Sequence, residues 1–209
     1  MASQERSKNA IALTRAVQVP TAAVNSRVVW ETVRRACQNM MVDGKACSPT
    51  SLIAWSLTQA CRTEAGVRFL SNFSHRDPNS NSFDLGIAVS LPDDELATAV
   101  VSDAGNLTWP EFQSKYREAV VAVRDGKVHD RRGAPIQLST LGGHKIEQAH
   151  PLVVPPAIAT FFVGEAHYEL IEEAGRPVAA RVATLIMSFD HRLVNGVGAA
   201  SFINAVRSQ

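Results

Sequence analysis

Ser188-Phe189-Asp190-His191-Arg192-Leu193-Val194-Asn195-Gly196 lies near the C-terminal end of a chain of 209 residues. The run Val182, Ala183, Leu185, Ile186 and Met187 leads straight into it and reads as a buried strand. An Asp-His-Arg triplet at the mouth of such a strand is a costly place for charge unless partners or function retain it. Gly196 follows, and a helix of small and apolar residues over 197–207 closes the chain. Of the six histidines, His75 and His129 stand in polar surroundings and read as surface residues, as a lone histidine usually is. His191 is the one whose setting asks for a chemical explanation.

Working back from that stretch, strands are expected over 135–138, 157–163 and 178–188. Thr108 with Glu111 three residues on is a capping-box signature, which predicts a helix running to Asp125-Gly126. Two strands, 83–91 and 96–102, flank the turn Pro92-Asp93-Asp94-Glu95. The polar stretch 71–82 reads as an exposed loop. Pro49 suits the first turn of a helix to about Arg62, and its apolar residues go nearly all round, so it belongs in the centre. Trp30, Val33, Cys37 and Met40 recur at helical spacing, with Asn25 and Ser26 as candidate N-caps and Asp43-Gly44 as the stop. Residues 9–17 are helix-compatible, and Val19-Pro20-Thr21 reads as a break. Helices early and strands later, without strict alternation, predict an α+β fold around a mixed sheet rather than a doubly wound one.

Composition narrows the function. The 21 basic and 20 acidic residues leave a net charge of +1 and form no basic block, so neither nucleic acid nor an anionic membrane surface is an expected partner. No apolar run approaches the ~18 residues of a membrane span, and the N-terminus lacks the apolar core of a signal peptide, which predicts a cytoplasmic protein. Cys37, Cys47 and Cys61 show no paired spacing and read as buried thiols. Metal-ligand motifs, phosphate-binding glycine loops and the GxSxG nucleophile elbow are all missing, so no metal is expected.

The C-terminal block resembles the S-x-D-H-R-x-x-D-G signature of the dihydrolipoamide acyltransferases, the catalytic cores of 2-oxoacid dehydrogenase complexes. Two further blocks match in order. Ile136-Gln137-Leu138-Ser139-Thr140-Leu141-Gly142 is similar to the family's F-T-I-S-N-L-G, and Pro151-Leu152-Val153-Val154-Pro155-Pro156 to its P-I-I-N-P-P. Weaker likeness runs through Gly86-Ile87-Ala88-Val89, Asp94-Glu95-Leu96 and Ile11-Ala12, so the resemblance covers about residues 8–207. It implies a chloramphenicol acetyltransferase-like mixed sheet flanked by helices, in a single catalytic domain over 1–209 with a polar tail at 1–7 and no lipoyl or subunit-binding domain.

The resemblance also implies a mechanism. His191 would be the general base that deprotonates the acceptor, and an imidazole of ordinary pKa near 6.5 suits that task. Ser139 would donate to the oxyanion of the tetrahedral intermediate. Acetyl-CoA or another acyl-CoA would be co-substrate, and homotrimers would place His191 of one chain opposite Ser139 of another. Asn195 stands where the signature has aspartate; its amide can orient the turn but carries no charge. Thr21 stands where histidine is usual, and Lys8 is the nearest match to a family arginine. With these departures and no lipoyl arm, the first expectation is a stand-alone O-acetyltransferase acting on a hydroxyl of a small molecule, as in natural-product (antibiotic) pathways with tetronate intermediates. The alternatives are the dihydrolipoamide acyltransferase core of a 2-oxoacid dehydrogenase complex and a non-catalytic assembly subunit of the same fold.

Overall fold

A computed structural model describes residues 13–14, 16–41, 44, 47–73, 82–127 and 134–209. Lys8, His75, His129, Asp43, the polar tail and most of the 71–82 stretch fall outside those residues. Seven strands form one mixed sheet. They are β1 (Thr21–Val29), β2 (Leu85–Leu91), β3 (Glu95–Val101), β4 (Ile136–Thr140), β5 (Ala159–Val163), β6 (His167–Glu173) and β7 (Arg176–Asp190). Among the described residues, the α-helices with defined bounds are α1 (Trp30–Asn39), α2 (Pro49–Ala60), α3 (Glu64–Leu70), α4 (Trp109–Arg124) and α5 (Gly196–Arg207). The order across the sheet is β1-β7-β5-β4-β2-β3, with β2, β4 and β5 parallel to one another and β7 antiparallel to β5. The expected α+β architecture is therefore the observed one.

Strand alternation divides the sheet into two unlike faces. Leu85, Ile136, Ala159 and Phe189 stand in register across four strands and join the main hydrophobic core. That core also takes Leu57 of α2, Phe69 of α3, Phe112 of α4 and Phe202 of α5, so the helices cover this face. Phe202 stacks on Phe69 at 4.3 Å and meets the edge of Phe161 at 5.9 Å, which fastens the closing helix to the middle of the sheet. The opposite face carries Gln137, Thr160, Thr184 and Ser188, all buried and polar. The connection 141–158, without regular structure, lies over part of it: Val153 is fully buried, and Thr160 donates to the carbonyl of Leu152 at 2.9 Å. Ser139 belongs to this second face, being one residue from Leu138 of the core.

The local signals explain where the helices begin. Ser48 and Ser51 cap α2 reciprocally, each backbone N–H donating to the other's hydroxyl at 3.1 Å, and Pro49 fills the first turn. Thr108 donates to the Glu111 carboxylate from its backbone at 2.8 Å and its hydroxyl at 2.6 Å, as the capping-box spacing predicts. Three expectations are corrected. Residues 21–29 are strand β1 rather than a break and a cap, because they pair residue for residue with 182–190 of β7. Helix α1 accordingly has Val29, not Asn25 or Ser26, at its N-cap, and it stops at Asn39, ahead of Asp43-Gly44. Strand β6 and helix α3 were not anticipated.

Candidate functional site

Strand β7 delivers His191 to the surface. Its nine C-terminal residues, 182–190, are buried, and the first exposed residue after them is His191. The chain turns there: Leu193 and Val194 both donate to the carbonyl of Asp190 at 3.0 Å. The backbone N–H of His191 donates to the carbonyl of Pro20 at 2.9 Å, so the start of β1 holds the histidine's main chain in place. Thr21 pairs with Asp190 in the ladder, which brings the Val19-Pro20-Thr21 segment of the sequence reading into the site. The His191 ring tilts against Phe189 at 5.6 Å.

Asp190 is the anchor of this turn. Only 3% exposed, its carboxylate accepts from the backbone N–H of Arg192 at 3.0 Å and from the guanidinium at 2.9 and 2.6 Å. The Arg192 hydrogen bonds hold the Asp190 carboxyl below the ordinary carboxylate range, against the opposing effect of burial. The cost of a charge at the mouth of a buried strand is thus offset two residues away, and His191 between them is left exposed. Asn195 is the N-cap residue of α5: its carbonyl accepts from Ala199 at 3.0 Å, and its side chain makes no capping bond. Sequence reasoning put His191 at the centre and passed over Asp190, Arg192 and Pro20 as its supports. The Asp-His-Arg triplet was the available signal for the first two; the third needed β1.

Ser139 is half-buried near the C-terminal end of β4, in a different part of the molecule. It pairs with Phe162 of β5, which pairs with Ile186 of β7, and His191 lies five residues beyond Ile186. At strand spacings this is about 17 Å along the sheet and about 10 Å across it, roughly 20 Å in all. One chain therefore does not bring Ser139 and His191 together. Each stands among exposed apolar residues: Leu193 (42%) and Val197 (82%) beside His191, and Leu141 (43%) and Leu152 (48%) beyond Ser139.

Two cavities flank the Ser139 end of the sheet. One, of about 210 Å³, is lined by Thr140 at the end of β4 and Gly142 and Gly143 after it, by Gly164 and Arg181, and by Pro49 of α2. The Gly143 N–H donates to the Glu165 carboxylate at 3.0 Å, and Glu165 N–H to the carbonyl of Ile146 at 2.7 Å, tying the loop after Ser139 to the end of β5. The other, of about 200 Å³, lies between α1, α2 and the helix-covered face and is mostly apolar. No group of three or more metal-ligating side chains occurs among the described residues. Nor is any helix among them long and apolar enough to cross a membrane.

The sequence pattern of the 2-oxoacid dehydrogenases acyltransferase (catalytic domain) family matches residues 2–209. The dihydrolipoyllysine-residue acetyltransferase component of the pyruvate dehydrogenase complex of Staphylococcus epidermidis is 29% identical over 127 residues, which are 60% of this chain and 29% of that protein. The match thus spans less than a third of the relative's length. The cubic core of the pyruvate dehydrogenase multienzyme complex superposes with a TM-score of 0.78 at 21% identity, over 98% of this chain and 87% of that one. The dihydrolipoamide acetyltransferase of Azotobacter vinelandii does so with 0.76 at 20% identity, over 97% and 86%. Chloramphenicol acetyltransferase gives 0.60 at 15% identity, over 91% and 88%. By fold the chain is of the chloramphenicol acetyltransferase-like class. Within that class it belongs to the family of 2-oxoacid dehydrogenase acyltransferase catalytic domains.

Proposed function

We propose that residues 1–209 form one catalytic domain that transfers an acyl group between coenzyme A and the thiol of a dihydrolipoyl group, with His191 as general base. The observation that carries this reading is the family match over residues 2–209, which takes in Ser139, His191 and Asn195. A spacing supports it. The Azotobacter enzyme has been studied for the catalytic roles of a serine, a histidine 52 residues later and an asparagine four residues after that. The same intervals separate Ser139, His191 and Asn195 here. Asn195 is then one of the family's working residues at this position rather than a lost aspartate. The hydroxyl acceptor and natural-product pathway that the sequence reading put first find no support among the relatives, which are acetyltransferases of dihydrolipoyl groups.

The chemistry follows from the groups at hand. The His191 imidazole takes the acceptor's thiol proton as the sulfur attacks the thioester carbonyl. The oxyanion of the tetrahedral intermediate accepts a hydrogen bond from the Ser139 hydroxyl. Collapse expels the coenzyme A thiolate, which recovers the proton from the imidazolium. Asp190, Arg192 and the Pro20 carbonyl fix the turn that carries His191 and leave its ring to the substrate. Because roughly 20 Å separates Ser139 from His191 within one chain, the working site requires two copies, His191 from one and Ser139 from its neighbour, as a homotrimer provides.

The test is acyl transfer from acetyl-CoA to dihydrolipoamide, read as thioester formation, beside a panel of hydroxylated small molecules. His191→Ala should lower the rate about 10²–10⁴-fold and Ser139→Ala about 10²–10³-fold, each with the assembly intact by size measurement. Transfer to a hydroxyl acceptor alone would overturn the thiol reading. Full activity in His191→Ala would overturn the mechanism.

A further inference from the structure

Away from the sheet, a second and smaller apolar cluster holds Val33 and Cys37 of α1 together with Cys47 and Leu52, at the start of α2. Both cysteines are buried, at 5% and 7% exposure. They stand ten residues apart in the chain, and the Cys47 thiol reaches the carbonyl of Cys37 at 3.8 Å. Both belong to one packed cluster, which sets the two side chains side by side. Trp30, Ala36, Met40 and Trp109 pack around them and close the cluster. Nothing in the acyl-transfer chemistry uses either thiol.

We propose that Cys37 and Cys47 form a redox staple, closing to a disulfide under peroxide stress and locking the end of α1 to the start of α2. The step balances with a hydroperoxide as oxidant: one thiolate attacks the peroxide oxygen and becomes a sulfenic acid, releasing an alcohol or water. The second sulfur then displaces water from that sulfenic acid as the S–S bond forms. The contact makes the second step intramolecular, so over-oxidation to sulfinic acid is outrun. Burial, first, and the Cys47 contact push the Cys37 thiol up to about 12. Oxidation therefore runs through a small thiolate fraction and is slow at neutral pH. Cys61 stands one residue past the other end of α2, about 20 Å from Cys47 along the helix, too far to bridge to it.

The staple would act on a wall that matters. Cys47 directly precedes the Ser48 cap of α2, and Pro49 and Thr50 line the cavity beside Thr140 and Gly142. Val33 and Ala36 of α1 line the apolar cavity on the other side. Oxidation would bind these two walls covalently and lower their freedom to adjust, whatever group occupies the cavities.

The test uses the whole chain treated with hydrogen peroxide and then alkylated under denaturing conditions. The expected product has lost two alkylatable thiols and the mass of two hydrogens, and trypsin releases peptides 36–45 and 46–62 joined by a bond that dithiothreitol breaks. The joined pair should persist in Cys61→Ser and vanish in Cys37→Ser and in Cys47→Ser. Closing a loop of this size should raise the thermal midpoint on the order of 5 °C, reversibly. Sulfinic or sulfonic acid at either cysteine in place of the bond, a bond to Cys61, or retention of all three thiols would each overturn the proposal. None of these outcomes depends on the acyl-transfer activity.

Discussion

Asp190 carries a charge at 3% exposure, and what keeps it ionised is one neighbour, Arg192. Its native pKa is lowered, so the sign of its pH effect is fixed. A carboxyl that binds its proton less readily when folded contributes stability above its unfolded pKa of about 3.9, and that contribution is lost as pH falls through the lowered native value. Asp190→Asn should therefore destabilise the protein near neutrality, on the order of 1 kcal/mol since the Arg192 side chain is more than half exposed. The gap from the parent should close toward pH 3, which thermal unfolding across that range would measure. A gap constant with pH would mean the carboxylate acts through shape alone. The same substitution should cost kcat more than KM, because the turn it loosens orients the proposed base, His191, rather than binding the acceptor.

At the scale of elements, two short connections set the frame. Gly66 lies in α3 where the helix passes the end of α2, and a Cβ there would come within 2.1 Å of the Ala60 carbonyl oxygen and 2.4 Å of Cys61 Cα. Both are backbone atoms and cannot step aside. Gly66→Ala should cost about 3 kcal/mol or more, a drop in thermal midpoint of roughly 6–12 °C, and a neutral result would show that α3 can shift. The β6–β7 hairpin turns through Ala174 (φ 50°) and Gly175 (φ 77°), the backbone of a type I′ turn. Alanine tolerates that conformation poorly, so Ala174→Asn should stabilise the hairpin by about 0.5 kcal/mol, measured by denaturant midpoint. This turn also explains why β6 was illegible in the sequence. With its residues all half-exposed or exposed, β6 has no buried face, and an Ala-Gly turn is a weak hairpin signal. β1 escaped for a related reason. Its core-facing positions are Ala22, Val24, Ser26 and Val28, and the serine breaks the apolar alternation. Its identity comes from β7, more than 150 residues away. By contrast α2, α4, α5 and the interior strands were legible, because caps and apolar runs are local features.

At the scale of the whole molecule, the proposed site is divided. His191 was readable from its own turn, and Ser139 from a matched block, but the roughly 20 Å between them follows only from the order β7-β5-β4 and the register of those strands. Register is set by pairings distant in sequence, so no local reading reports it. The separation makes a sharp prediction. A chain carrying His191→Ala still has Ser139, and one carrying Ser139→Ala still has His191. If neighbouring copies share each site, co-refolding the two inactive variants in equal amounts builds some interfaces with both parent residues. In a ring whose contacts all run head to tail, random assortment makes roughly one quarter of the sites whole. Activity should then return to about that fraction of the parent's, from two preparations that are each nearly inactive. If each chain completed its own site instead, every chain in the mixture would lack one residue and the mixture would stay as inactive as its parts. Refolding each variant alone, then mixing without denaturant, separates slow subunit exchange from true complementation. The recovered rate should appear only where the chains assembled together.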